Sequence, residues 1–231
     1  MKKNILKLIL VFMCLSVFTG CGNEKNDNQF SNEYEALNNK KDDSGNKYEK
    51  VEIDGENPII YKSALEIVNM MSNKESFVVY FGYASSNLCR LSVPTLIETA
   101  NDLGLTEVYY VDIKEIRDEL SLDEVGNKIT NKEGHSDYYK LLILFDNVLE
   151  DYIIKDKDGN TKLSGEKRIN EPSIISVING SATLITNGIS DNYVEGQEIT
   201  DAMKNDAKQK IENVIAPVLE HKRNCIATGS C

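Results

Sequence analysis

The spacing of apolar and polar residues along this chain predicts both strands and helices. Residues 77–82 are a continuous apolar and aromatic run, which is typical of a buried strand. After a polar loop, residues 88–103 place apolar side chains at helical spacing, and Gly104 ends the predicted helix. Residues 106–113 form the next predicted strand. A strand, a helix and a strand in this order indicate a parallel βαβ unit.

Further elements surround this unit. Apolar residues at helical spacing predict a helix over residues 63–73 and a closing helix over residues 200–221. Residues 173–178 and 182–187 are apolar runs joined across Asn-Gly, a dipeptide that favours a hairpin turn. The sequence therefore predicts an α/β fold with a mixed central sheet.

About sixty residues separate the strand at 106–113 from the hairpin that begins at 173. We expect an added helix over residues 137–149 and an extra hairpin that includes residues 152–155. These elements would form an insertion within one domain that spans residues 51–224, a length that supports a sizeable core.

The N-terminus resembles the leader of a bacterial lipoprotein. Residues 1–20 have a basic start and an apolar stretch that is too short to span a bilayer comfortably. Phe18-Thr-Gly-Cys21 resembles a lipobox, which implies cleavage before Cys21 and acylation of that residue. Two or three acyl chains give a stable anchor, because each buried CH₂ contributes about 0.8 kcal/mol. The alternative is an ordinary secretory signal with an incidental cysteine. We expect lipid anchoring on the extracytoplasmic face of the cell membrane.

Residues 21–50 carry this lipidated start and then a strongly polar stretch, which predicts a flexible tether. A solvated loop that belongs to the domain is the alternative. Removal of residues 1–20 takes away three lysines and no acid, which changes the formal charge from −11 to −14. Such an acidic chain disfavours nucleic acid as a partner.

Three of the five cysteines would remain available after cleavage and acylation, because Cys14 lies in the leader and Cys21 carries the lipid. Cys225 and Cys231 bracket a short loop in the C-terminal tail, residues 225–231, and we expect a disulfide between them in an oxidising compartment. Two unpaired thiols, or a bridge to Cys89, are the alternatives.

The sequence predicts neither a metal site nor a cofactor. His135 and His221 have no ligand spacing with the cysteines. Asp156-x-Asp-Gly-Asn resembles the start of a calcium loop, but Lys167 stands where the twelfth-position glutamate is needed. The chain also has no Gly-rich phosphate loop.

The segment from Phe81 to Pro94 resembles the redox segment of thioredoxin-like proteins, in particular the group that includes bacteriocin-transport accessory proteins. In that family a strand ends in an aromatic residue, Cys-x-x-Cys begins five residues later, and a proline follows the second cysteine by five residues. Phe81, Cys89 and Pro94 fit one register, in which the motif reads Ser86-Asn-Leu-Cys89. The resemblance covers residues 58–220 and implies a three-layer thioredoxin-like fold.

Two departures from the family pattern bear on the chemistry. Ser86 stands where the attacking cysteine is expected, and a helix N-terminus alone does not ionise a serine hydroxyl at neutral pH. Tyr80 stands where the family buries an acid. Cys89 is then a resolving cysteine without its partner, or a small apolar core residue. An alternative register takes residues 89–92 as a monothiol Cys-x-x-Ser site.

Pro172 opens the later strand, where the family carries a cis-proline that faces the active site. A trans-proline that merely opens the strand is the alternative. In this fold extended peptides dock against the backbone before that proline, so the resemblance makes Ser86, Glu171 and Pro172 candidate substrate-binding residues. We expect a binding or accessory module for a peptide or protein client, with weak or no dithiol activity. The alternative is a thiol-disulfide oxidoreductase with Cys89 as its catalytic residue.

Replacement of the lipobox cysteine tests the anchor. We expect Cys21→Ser to release the protein from membranes, because the acceptor sulfur for the acyl chain is lost. The measurement is membrane fractionation together with incorporation of labelled fatty acid. A variant that still fractionates with membranes and still carries the label would refute the lipobox assignment.

Overall fold

A computed structural model describes residues 29–54, 57–156 and 159–229. Five helices and nine strands lie within these residues. The helices are α1 (Gln29–Glu35), α2 (Ala64–Ser72), α3 (Asn87–Leu103), α4 (Ser136–Phe145) and α5 (Asp201–Thr228). The strands are β1 (Ile59–Tyr61), β2 (Phe77–Gly82), β3 (Val108–Asp112), β4 (Glu119–Leu122), β5 (Lys128–Lys132), β6 (Asp151–Lys155), β7 (Thr161–Lys167), β8 (Ser173–Ile178) and β9 (Ser181–Thr186).

The central sheet has five strands in the order β1-β3-β2-β8-β9. The first three strands are parallel, and β8 and β9 run antiparallel to their neighbours. The α/β class with a mixed central sheet is therefore confirmed. The predicted hairpin across Asn179-Gly180 is also present, and both residues have positive φ angles, 51° and 75°. Such backbone angles suit these two residue types.

Helices cover both faces of the sheet. Residues of α1, α3 and α5 share one hydrophobic cluster with one face of the sheet, while α2 and α4 pack with the other face. All six residues of β2 are buried, because this strand is central and covered on both sides. This burial explains why residues 77–82 form an uninterrupted apolar run.

The connection between β3 and β8 contains more structure than the sequence predicts. The predicted helix and hairpin are present as α4 and the β6–β7 pair, and an unpredicted hairpin, β4–β5, lies before them. Both ends of this insertion are joined by a buried ion pair, in which Arg168 Nη2 lies 2.7 Å from Asp118 Oδ2. The pair fixes the insertion next to the start of β8.

The predicted tether over residues 21–50 is corrected for residues 29–50, which belong to the folded domain. Phe30 and Tyr34 are fully buried in the cluster that contains α3 and α5. These two aromatic residues stand four positions apart, so α1 presents them on one face. A composition average over a polar stretch misses two side chains of this kind.

The C-terminal boundary also differs from the prediction. Helix α5 continues through Thr228, so residues 225–228 of the predicted tail are helical. None of the described helices combines the length and apolar character that crossing a bilayer requires. The predicted leader and Cys21 lie outside the described residues.

Candidate functional site

Ser86 connects the end of β2 to the first turn of α3. Its backbone is extended, and its side-chain oxygen accepts a hydrogen bond from the Cys89 backbone N–H at 3.3 Å. Ser86 is thus the N-cap of α3, while Cys89 lies in the first turn and Pro94 lies further along the helix. Ser86 is half-buried at the helix start, whereas Cys89 is fully buried.

The Cys89 thiol is sealed inside the protein. Its side chain has no exposed surface and packs against Tyr80. Burial raises the pKa of Cys89, and contacts with Tyr80 and Ser86 offset this effect only in part. The thiol is therefore neutral at pH 7, and a neutral thiol is a poor nucleophile.

Gly82 makes this close packing possible at the end of β2. A Cβ atom at residue 82 would lie 2.5 Å from Tyr80 Oη and 2.8 Å from Cys89 Sγ. Any larger residue would force the phenol and the thiol apart. Glycine therefore serves here to admit two side chains into one space.

A phenol occupies the place beneath the site where the family has an acid. Tyr80 is fully buried, and its hydroxyl lies 3.0 Å from that of Tyr34 in α1. Burial raises the pKa of Tyr80 well above its ordinary value. Because this group stays protonated at neutral pH, it supplies no base that could deprotonate Cys89.

The strand register brings the two predicted site segments together. Phe81 pairs with Ser173, so the residues after β2 lie beside those before β8. The Glu171–Pro172 peptide bond is cis, as predicted. Across this junction the Tyr83 hydroxyl donates to Glu171 Oε1 at 2.7 Å.

Glu171 has a second partner in the insertion. Arg117 Nη1 forms an ion pair with Glu171 Oε2. Burial alone would lower the pKa of Arg117, but the Glu171 carboxylate raises that pKa above its ordinary value. Glu171 is therefore committed to Tyr83 and Arg117, and its carboxylate orients the loop before Pro172.

A groove of about 190 Å³ borders the cis-proline on the side of β9. Its lining combines apolar and polar side chains, among them Leu149, Glu150, Pro172, Ile185 and Asn187. A mixed lining of this kind suits a side chain of a bound peptide better than a fully polar solute.

Several site residues were not predicted. Tyr83 follows the strand directly, and this position is the one signal that the sequence offers for it. Tyr34 and Arg117 come to the site from distant parts of the chain, and no local pattern marks them. Arg90 is 1 % exposed, although its residue type predicts an exposed position.

Two further groups of predicted site residues, the C-terminal cysteines and candidate metal ligands, remain to be placed. Cys225 belongs to the last turns of α5, and Cys231 lies outside the described residues, so their disulfide stays a prediction. Within the part of the chain that the structure describes, no group of three or more His, Cys, Asp or Glu side chains could hold a metal ion.

Comparisons with known proteins do not assign the chain to a family. No model of a protein family matches the chain, and no curated protein matches it either. A functional proposal must therefore rest on the residues and geometry described above.

The burial of the Cys89 thiol predicts that the folded protein loses stability at alkaline pH. In the unfolded chain the thiol ionises near pH ~8.5, whereas the folded protein retains the proton to higher pH because burial raises the pKa of Cys89. Above this pH the unfolded state binds fewer protons, so the free energy of unfolding falls, by up to about 1.4 kcal/mol per pH unit.

Urea unfolding of the native protein and of Cys89→Ala between pH 7.5 and 10 measures this effect. The native protein should lose more stability over this range, since the variant lacks the thiol while both proteins retain Tyr34 and Tyr80. Equal pH dependence in the two proteins would show that the thiol is not sealed in the folded state.

Proposed function

We propose that this chain is a lipid-anchored, extracytoplasmic protein whose thioredoxin-like domain binds a peptide or protein client and performs little or no dithiol exchange. The anchor would be attached at Cys21, and the domain would act as an accessory module at the cell membrane. A formal charge of −14 after loss of residues 1–20 argues against nucleic acid as the client.

The architecture supports the thioredoxin-like assignment. The mixed central sheet, in the order β1-β3-β2-β8-β9 with helices on both faces, is compatible with the three-layer fold that the resemblance implies. A helix with an internal proline follows β2, and a cis-proline precedes β8. Because one fold hosts many functions, the activity must be argued from the site itself.

The observation that carries the functional proposal is the state of the two motif positions. Ser86 uses its side chain to cap α3, and Cys89 is completely buried beside a protonated phenol. Dithiol exchange requires an exposed thiolate that attacks and a second thiol that resolves the mixed disulfide. Residue 86 carries no thiol to attack, and the Cys89 thiol is not exposed. Oxidoreductase activity through Cys89 is therefore the less supported function.

The client face would consist of the loop that ends at Pro172 and the first turn of α3. Leu88 in that turn is 41 % exposed and is the apolar side chain that this face would offer to a client. Extended peptides can pair with exposed backbone while their side chains enter adjacent pockets. The groove beside Pro172 offers such a pocket.

Restoring the missing thiol distinguishes a binding module from an enzyme. We expect the native protein to leave insulin disulfides intact in the presence of dithiothreitol, while Ser86→Cys should reduce them. The new thiol would stand at the half-buried N-cap, where the helix dipole favours a thiolate, with Cys89 one turn away. Turbidity from precipitating insulin chains gives the rate.

Ser86→Ala is the matched control, because it removes the cap, at a cost of about 1 kcal/mol, without adding a thiol. Strong activity in the native protein that disappears in Cys89→Ala would instead make Cys89 the nucleophile. That result would replace the binding proposal with the oxidoreductase alternative.

Site-specific cross-linking tests the client face directly. With the photo-reactive residue benzoylphenylalanine in place of Leu88, illumination of intact cells should give discrete adducts of higher mass. Ile143 is the control position, since it is 77 % exposed on α4, across the sheet from α3. Identical adducts at both positions, or none at residue 88, would contradict a client face at the start of α3.

A further inference from the structure

The most unusual buried group in the molecule is the guanidinium of Arg90. This side chain follows Cys89 in α3, yet its hydrogen bonds reach only neutral acceptors. Nη1 donates to Tyr34 O at 2.7 Å, Nη2 donates to Asn38 Oδ1 at 2.6 Å, and Nε donates to Glu49 O. A buried charge is costly unless such hydrogen bonds satisfy it. Three separate points of the N-terminal region therefore converge on one cation.

Two asparagines hold the same region by pairing with backbone groups. The Asn87 side chain accepts from Glu49 N at 2.9 Å and donates to Lys47 O at 3.3 Å. The Asn38 side chain accepts from Val51 N at 3.0 Å and donates to Val51 O at 2.7 Å. Asn38 thus joins the N-terminal region to itself and to Arg90 at once.

This region also closes the space around the thiol. Tyr34 is fully buried with Cys89 in one hydrophobic cluster, and its hydroxyl contacts that of Tyr80, which lies against the thiol. Tyr34 is therefore part of the packing that surrounds the thiol.

The N-terminal region is attached outside the central sheet. Residues 29–53 contribute no strand to that sheet, and within them a single isolated bridge joins Lys41 to Lys47. Most residues between 39 and 50 are exposed or half-buried. The buried anchors Phe30, Tyr34 and Val51 lie near the two ends of the region. A segment attached through a few such side chains can open at a lower free energy than the core does.

We propose that residues 29–53, called the strap, form a releasable cover that seals Cys89, and that Arg90 and Asn38 hold the strap closed. Release of the strap would expose the thiol in the first turn of α3 beside the Arg90 cation while the sheet stays folded. A thiol next to a cation and near a helix N-terminus is more reactive than a buried one. The inference concerns access to Cys89 and does not depend on the proposed client.

Alkylation of Cys89 measures strap release in the full-length chain. Trypsin cleavage after Lys74 and Arg90 yields a peptide in which Cys89 is the sole cysteine, so mass spectrometry of iodoacetamide-treated protein reports this residue alone. Rates are compared at urea concentrations below the unfolding transition, which circular dichroism follows. We expect the alkylation rate to depend much less on urea than global unfolding does, because opening the strap exposes far less surface.

Asn38→Ala and Asn46→Ala form a matched pair of variants within the strap. Asn38 contacts Val51 and Arg90, whereas the exposed Asn46 side chain bonds only to Asp42 within the same turn. We expect about tenfold faster alkylation of Cys89 in Asn38→Ala and a rate within about twofold of the native one in Asn46→Ala.

Three results would overturn the proposal. Alkylation could follow urea with the same slope as global unfolding, which would mean that only unfolding exposes Cys89. Native Cys89 could react as fast as the thiol of an unstructured peptide, which would mean that the strap does not seal it. The faster reaction of Asn38→Ala could also match its loss of global stability in full, which would leave no local opening.

Discussion

The burial of the Arg90 guanidinium is the constraint that links the N-terminal region to the candidate site. Its partners Tyr34 and Glu49 lie 56 and 41 positions away in the chain, and each offers a carbonyl rather than a carboxylate. Because a buried cation tolerates the loss of such partners poorly, α3 and the strap are energetically coupled. The hydrogen bond from Arg90 to the Tyr34 carbonyl helps to hold the Tyr34 side chain in the core cluster that also contains Cys89.

Tyr80, Gly82 and Ser86 have mutually consistent effects on Cys89. Ser86 caps the helix, Gly82 leaves room for close packing, and Tyr80 contributes a buried phenol. Together they favour a neutral, sealed thiol over a reactive one.

Ion pairs at the base of the insertion orient the other half of the site. Asp118 and Arg168 pair with little exposure, and Arg117 reaches Glu171 immediately before the cis-proline. Tyr83 completes the link from Glu171 to the end of β2. The insertion therefore fixes the position of the loop before the cis-proline.

Elements whose signals are local could be predicted from the sequence alone. The continuous apolar run at residues 77–82 predicts a buried strand, and the helical spacing at residues 88–103 predicts a helix. The Asn-Gly turn predicts the β8–β9 hairpin. The motif register also marked the candidate residues at the start of α3 and before β8. Three features were seen only in the folded structure: Phe30 and Tyr34 pack into the core, Arg90 is buried, and β4 pairs with β5. These features depend on contacts between residues far apart in the chain or on short polar strands, for which no hydrophobic period exists to be read.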